Sequence, residues 1–360
     1  MASDVLRLIS GVGAKGPACF VLEAAGKRIM LDLGEGPPPG VLPEVAGLGP
    51  LDALVLSHGH KDHVGGLPLL QKLGNPPVYA TDIVGRDLPQ KIEVRPLPIG
   101  GTGNVLGIEV TTGRNGHAPG GIWLHFKVSG GFLYTGDWST ESILYAYDPP
   151  AKPASVALVD CSYGTYEKTL GECWGAIASY VDGGPLLLPS PANGRGPELA
   201  LQILRSGRTD ICLDDATNEA LRQLVDDTAA LRADAHDDIA ALIASAKPVA
   251  EPCGIMIAAS ADGTSGATKQ LLQQWERKTE PAIVFTGYRA PGTPADRLIK
   301  SGRAQFLRWN VHPRLSDVVA LAKALKPKTI IPAFCDRSQL SGLAEALGPA
   351  RVTMDGPVAL

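Results

Sequence analysis

The sequence predicts a layered α/β protein built as two such units, and three observations carry that prediction. Histidine is scarce, at 7 of 360 residues, yet His58, His60 and His63 fall within six positions directly after a strand-length apolar stretch at 51–56. From about residue 167 to residue 302 helical and extended patterns alternate, which means a parallel sheet with flanking helices. The 42 Gly and 30 Pro suit many tight connections between short elements.

In chain order, residues 5–33 read as a leading strand and then a hairpin of 19–23 and 28–33, joined through Gly26. Asp32, near the end of the hairpin, suits a simple turn as well as it suits a hydrogen bond to the following loop. That loop, residues 57–66, has the spacing His-x-His-x-Asp-His. A buried strand that stops there delivers its side chains rigidly to the rim of a sheet. On a tight turn His58 and His60 converge on one metal ion, while Asp62 and His63 point to a second position beside it. Imidazole nitrogen and carboxylate oxygen without thiolate suit a catalytic zinc, or manganese or iron, rather than a closed structural site. Gly65 and Gly66 then turn the chain into a helix start at 67–70.

Residues 76–80 and 105–111 read as strands, and the Gly-rich loop 114–121 offers His117 as a third imidazole. In the strand 122–128 the apolar residues alternate, so His125 shares the other face with Trp123 and Lys127 and reads as structural. The strands 131–135 and 155–159 each release a carboxylate where strand becomes loop, Asp137 and Asp160. Asp137 is placed to bridge two metals, although a turn former would stand there equally well without the histidines.

The second unit reads as a helix near 169–181, a strand 185–189, a turn 193–196 and a helix 198–204. A helix-rich acidic section follows, then strand 255–259, helix 269–275, strand 283–286 and a loop opening at Gly287 and Tyr288. Afterwards come His312, a helix capped by Ser316 and stopped by Pro327, a buried strand 329–333 and a helix 340–347. No repeat of 20–50 residues is present.

Net charge is −4, which argues weakly against non-specific coating of nucleic acid. The balance is uneven, however. Residues 288–314 carry Arg289, Arg297, Lys300, Arg303, Arg308 and Arg314 against Asp296 alone, which suits either a solvated face or a phosphate-facing wall. The acidic stretch 210–238 reads as a solvated helical face. Six scattered cysteines without a C-x-x-C pair, no secretory leader and no membrane-length apolar run describe a cytoplasmic protein with reduced thiols.

These residues resemble the metallo-β-lactamase superfamily and, within it, the β-CASP nucleases, the group containing RNase J and the mRNA 3′-end cleavage factors. The resemblance rests on HGHKDH (58–63), NGH (115–117), TGD (135–137), DCSYG (160–164), PANGRGPEL (191–199), ASADGTSG (259–266), TGYRAPGT (286–293) and the Val311-His312 pair. It implies an αββα sandwich, residues 1–165 and 303–360, with an inserted α/β cap, residues 166–302. It further implies that His58, His60 and His117 hold one zinc, Asp62 and His63 another, with Asp137 bridging and Asp62 serving catalysis too. Asp160 would orient His312, which would protonate the leaving oxygen. Arg195, Tyr288, Arg289 and Arg314 would face the substrate.

The sequence departs from the family where its last metal-ligand histidine is expected, which here is Phe334. Phenylalanine cannot ligate, so Cys335 or Asp336 takes its place, the second ion binds weakly, or one ion serves. The residue two past His312, usually acidic in the family, is Arg314. The expected function is a metal-dependent phosphodiesterase acting on RNA or single-stranded DNA in a groove between the domains. A small ester or lactone hydrolase and a nucleic-acid-binding protein of weakened catalysis are the alternatives, and a homo-oligomer is compatible with each.

Overall fold

The computed structural model describes residues 4–37, 39–88, 91–252 and 254–360, so Cys253 lies outside the described residues. The chain forms two compact units: Met1–Thr140, Tyr147–Glu167 and His312–Leu360 in one, Glu141–Ala146 and Lys168–Val311 in the other.

The first unit begins with β1 (Val5–Ser10), β2 (Cys19–Ala24), β3 (Lys27–Leu33) and β4 (Ala53–Val55), followed by the short helix α1 (Lys61–Val64). A 3₁₀ turn at Leu67–Leu73 takes the place of the expected helix start. Then come β5 (Val78–Ala80), α2 (Asp82–Arg86), β6 (Val94–Pro96), β7 (Gly101–Val105), β8 (Ile108–Arg114), β9 (Ile122–Phe126), β10 (Phe132–Tyr134) and β11 (Val156–Asp160). The expected single strand 105–111 is a hairpin instead. Leu106 and Gly107 have φ of 51° and 92°, the doubly left-handed pair that a two-residue hairpin turn requires.

The second unit holds α3 (Leu170–Asp182), β12 (Leu186–Pro189), α4 (Arg195–Arg205), β13 (Ile211–Leu213), α5 (Asp215–Gln223), α6 (His236–Ser245), β14 (Lys247–Pro248), β15 (Ile255–Ala258), α7 (Gly266–Trp275), β16 (Ala282–Phe285), α8 (Pro294–Lys300) and β17 (Gln305–Phe306). Its six strands pair in the order β14-β13-β15-β12-β16-β17, all parallel. Each face is covered by its own apolar layer: Leu188, Ile257 and Val284 meet Leu199 and Ile177 on one side, while Leu187, Met256 and Phe285 meet Leu272 and Trp275 on the other. Strands buried on both faces need apolar residues at successive positions, which these have. Several elements differ from the sequence reading, among them β14 and β17, which it did not include. β13 lies within the section read as helical, and α8 lies where a loop was expected, with Thr293 capping it and Pro294 at its first position.

The second unit also runs past residue 302. β17 pairs with β16, and the Trp309 N–H donates to the Thr286 carbonyl. Upstream, Glu141–Ala146 joins it through Leu144 and Tyr145 in its core.

The chain then returns to the first unit as α9 (Leu315–Leu325), β18 (Thr329–Ala333), α10 (Leu340–Ala346), β19 (Arg351–Val352) and β20 (Val358–Ala359). Ser316 does not cap α9. The helix begins one residue before it, the Arg314 N–H donates to Asp317 at 3.0 Å, and the Ser316 hydroxyl donates to Glu167. Two seven-stranded sheets result, β20-β1-β2-β3-β4-β5-β6 and β19-β18-β11-β10-β9-β8-β7. Leu22, Ile29, Leu31 and Val55 of one face Leu124, Phe126, Phe132 and Leu158 of the other. The outer faces are covered in turn: Met30 and Leu54 meet Val64 and Leu73, while Leu133 and Ile330 meet Leu321 and Leu325. This is the expected αββα sandwich. Among the described residues no helix is long and apolar enough to cross a membrane, and the five described cysteines are buried and unpaired with one another.

Candidate metal centre

The centre is assembled where β3, β4, β10 and β11 end. Asp32 sits at a bulge in β3 with φ of 55°, where Cys19 pairs with Leu33 and Phe20 with Leu31. The extra residue turns its carboxylate under the loop that follows β4. There it accepts the Ser57 N–H at 2.7 Å, the Ser57 hydroxyl at 2.6 Å, the His63 Nδ1–H at 2.7 Å and the Tyr134 hydroxyl. Of the two sequence readings of Asp32, support of the loop is therefore the one realised. The bond fixes the proton of His63 on Nδ1 and turns Nε2 toward the cluster, the way a carboxylate orients a metal-ligating imidazole. Gly34 lets the loop close in, since a Cβ there would stand 1.7 Å from the Asp62 carbonyl oxygen. Gly136, at φ of 55°, swings Asp137 inward from the end of β10.

Three imidazoles and a carboxylate then converge. His60 Nδ1 lies 3.2 Å from His58 Nε2 and 3.0 Å from His117 Nε2, and Asp137 Oδ2 lies 3.5 Å from His117 Nε2 and 3.9 Å from His58 Nε2. All four ligand atoms fall within 4.8 Å of one another, as do those of Asp62, His63 and Asp137. Asp137 Oδ1 is buried and accepts no hydrogen bond, although His63 Nε2 is 3.2 Å away. A buried carboxylate oxygen left without a hydrogen bond inside a histidine cluster suits a cation. Three imidazoles, one carboxylate and no thiolate are also a donor set for zinc with room for water.

The electrostatics of His58 and Asp137 suit ligands, and those of His63 do not. Burial and the neighbouring His63 and His60 push His58 well below its ordinary pKa, so it stays neutral with a free lone pair. Burial works against an ionised Asp137, but His63, His312 and His117 reverse that and hold its pKa well below the usual carboxylate range. Burial likewise opposes a charged His63, and Asp137 with Asp32 overcomes it, holding its pKa well above normal.

Beside this cluster His312 donates from Nδ1 to Asp160 Oδ2 at 2.8 Å, and Asp160 Oδ1 accepts the Ser162 N–H. Asp160 is fully buried, His312 is buried, and the Tyr163 ring stands edge-on to the imidazole with centroids 5.2 Å apart. Asp137, Asp160 and His312 also offer atoms within 4.8 Å of one another. His125 stays outside, with its Nε2 on the Pro153 carbonyl at 2.9 Å.

Phe334 is buried at φ of 62°, with its ring 5.2 Å from the His63 ring and 6.1 Å from that of Phe20. Cys335 and Asp336 belong to none of the metal-sized groups among the described residues. The Cys335 thiol lies in an apolar layer, where burial pushes its pKa up to about 12. Asp336 Oδ1 accepts the Ser338 N–H and caps a short 3₁₀ turn. Arg314 is spoken for by Asp317 at 3.0 and 3.1 Å. Arg195, Tyr288 and Arg289 belong to the second unit. There Arg195 opens α4 with its guanidinium against Gly287, Tyr288 is 51% exposed, and Arg289 Nε is 3.4 Å from Asp296.

The sequence reading missed Ser57, Tyr134, Tyr163 and Lys15. Lys15 Nζ lies 3.9 Å from Asp62 Oδ2, and its side chain is only 17% exposed. Burial opposes its charge, but Asp62, Asp137 and Asp160 together keep its pKa raised. It sits in the loop between β1 and β2, where no periodicity or spacing marks it.

Comparison with known proteins finds two domains in the chain. Residues 12–181 match the family model of the metallo-beta-lactamase superfamily, and residues 203–298 match that of the Beta-Casp domain. The chain is 29% identical to transcription termination factor FttA of Cenarchaeum symbiosum over 55% of its length and 38% of that protein. It is 24% identical to cleavage and polyadenylation specificity factor 73 of Drosophila melanogaster over 96% of its length and 62% of that protein. It is 30% identical to a ribonuclease of Thermus thermophilus over 55% of each chain. The chain thus spans about half the length of these curated relatives. A crystal structure of an Enterococcus faecalis protein of unknown function aligns along the whole of both chains, with a TM-score of 0.63 at 13% identity, a likeness of fold alone. With the sandwich, the histidine loop at its rim and both domain matches in one order, the chain carries a metallo-β-lactamase superfamily domain followed by a Beta-Casp domain.

Proposed function

We propose that the protein is a metal-dependent phosphodiesterase that cleaves RNA, with zinc as its metal. The observation that carries this reading is the adjacency of the histidine–aspartate cluster to the Asp160–His312 pair. A divalent ion held by His58, His60, His117 and Asp137 would polarise a phosphoryl oxygen and acidify a water molecule. Everything else falls to the chain's own residues. Asp160 holds the Nδ1 proton of His312 and leaves Nε2 as the atom that gives a proton to the departing sugar oxygen. Asp32 holds the His63 ring in place through its Nδ1–H, and Asp137 stays ionised at neutral pH. Asp62 borders the same space and is available to orient water. RNA as substrate is supported by the name of the Thermus thermophilus relative, a ribonuclease. The first unit would carry the chemistry, and Arg195, Tyr288 and Arg289 of the second would bind substrate.

The test offers zinc-loaded protein labelled RNA, labelled single-stranded DNA and a lactone panel. RNA cleavage is expected, abolished in His60→Ala and slowed about 10²- to 10⁴-fold in His312→Ala, the range a lost general acid gives. Turnover of lactones alone would overturn the proposal, and cleavage confined to single-stranded DNA would move the substrate.

A further inference from the structure

The second half of the centre is built differently from the first. We infer that the centre takes a single divalent ion, at His58, His60, His117 and Asp137, and that the Lys15 ammonium beside Asp62, with Phe334 against His63, occupies the ground of a second one. The inference rests on the metal reading above and adds its stoichiometry and the residues that set it.

Asp62, His63 and Asp137 form the only other group at the rim that includes a histidine of the loop among the described residues. Its imidazole faces the Phe334 ring at 5.2 Å, so hydrocarbon stands where a further donor would be needed. Its outer carboxylate has Lys15 Nζ at 3.9 Å, and that lysine is largely withdrawn from solvent. The neighbouring candidates do not relieve the shortage, because Asp336 caps its own turn and Cys335 lies in the apolar layer. An ammonium supplies fixed positive charge where an ion would, yet needs no ligand sphere of its own.

Metal counting on the purified full chain tests this independently of activity. Protein is equilibrated with excess zinc, freed of unbound metal and analysed by elemental mass spectrometry, with calorimetric titration of zinc alongside. One ion per chain is expected for the native sequence, and none for His58→Ala with His117→Ala. The Lys15→Gln, Phe334→His double variant is expected to hold a second ion, its affinity at least tenfold above any second binding by the native chain. Two tightly held ions in the native chain, or a double variant that still takes one, would overturn the inference. Should the double variant fail to fold, Lys15→Gln alone decides: a strengthened second binding event supports the inference and an unchanged isotherm ends it. A chain that holds one ion but cuts no nucleic acid removes the proposed function and leaves this inference standing.

Discussion

At the scale of single residues, Asp32 holds more of the centre together than any ligand does. It is fully buried and receives donors from Ser57 and His63 of the loop after β4 and from Tyr134 of β10. Asp32→Ala leaves those donors buried without an acceptor, at about 1–3 kcal/mol for each such group. Urea denaturation should show a loss of about 3 kcal/mol or more, and a competition titration should show weakened zinc binding, because Asp32 holds the Ser57 hydroxyl that lies 3.1 Å from Nδ1 of the ligand His58. Unchanged zinc affinity would mean that Asp32 serves the fold only. Residue chemistry was largely readable in advance. His58, His60, Asp62, His63, His117 and Asp137 were visible from donor type, spacing and strand ends, and the structure brings them to one rim. Lys15 was not visible, because an isolated lysine in a Gly-rich loop carries no local signature of what it will face.

At the scale of elements, β8 and the segment before β11 are clamped together by Arg114 and Asp148. The guanidinium donates to the carboxylate at 2.8 and 2.6 Å, and the Arg114 N–H adds a bond at 3.0 Å. That guanidinium holds the Asp148 pKa below its ordinary value despite partial burial. A carboxylate with a depressed folded pKa stabilises above its unfolded pKa, and the contribution disappears as pH falls through the folded value. Asp148→Asn should therefore destabilise at pH 7, and the gap from the native chain should narrow as pH is lowered below about 4. Chemical denaturation at pH 7 and at about pH 2.5 measures it, and a gap that widens in acid would exclude the clamp. Element boundaries were legible where periodicity was unbroken, as in α3 and β18. They were misread where one special dihedral decided, as at Leu106, or where a proline opened a helix rather than ending one, as at Pro294.

At the scale of the whole molecule, the first unit is completed by segments far apart in the chain. β18 pairs with β11, β20 pairs with β1, and His312 reaches Asp160 across 152 positions. An ion at the rim touches side chains from several of those segments, so it binds the folded chain and not the unfolded one. At a hundredfold excess of ion over its dissociation constant such linkage is worth about 2.7 kcal/mol. Chelation should lower the melting temperature by several degrees, reversibly on zinc addition, and His60→Ala should melt at the chelated value whether or not zinc is present. A chelator-insensitive native chain would count against a resident metal.

What the sequence determined by itself was the donor chemistry and the layering. Both are local: ligand type and spacing lie within a loop, and apolar periodicity lies within an element. Tertiary structure alone decided that Lys15 faces Asp62, that Phe334 faces His63, and that residues 303–311 and 141–146 join the second unit. Those outcomes depend on which distant segments pack together, and packing partners far apart in the chain leave no mark on the residues beside them.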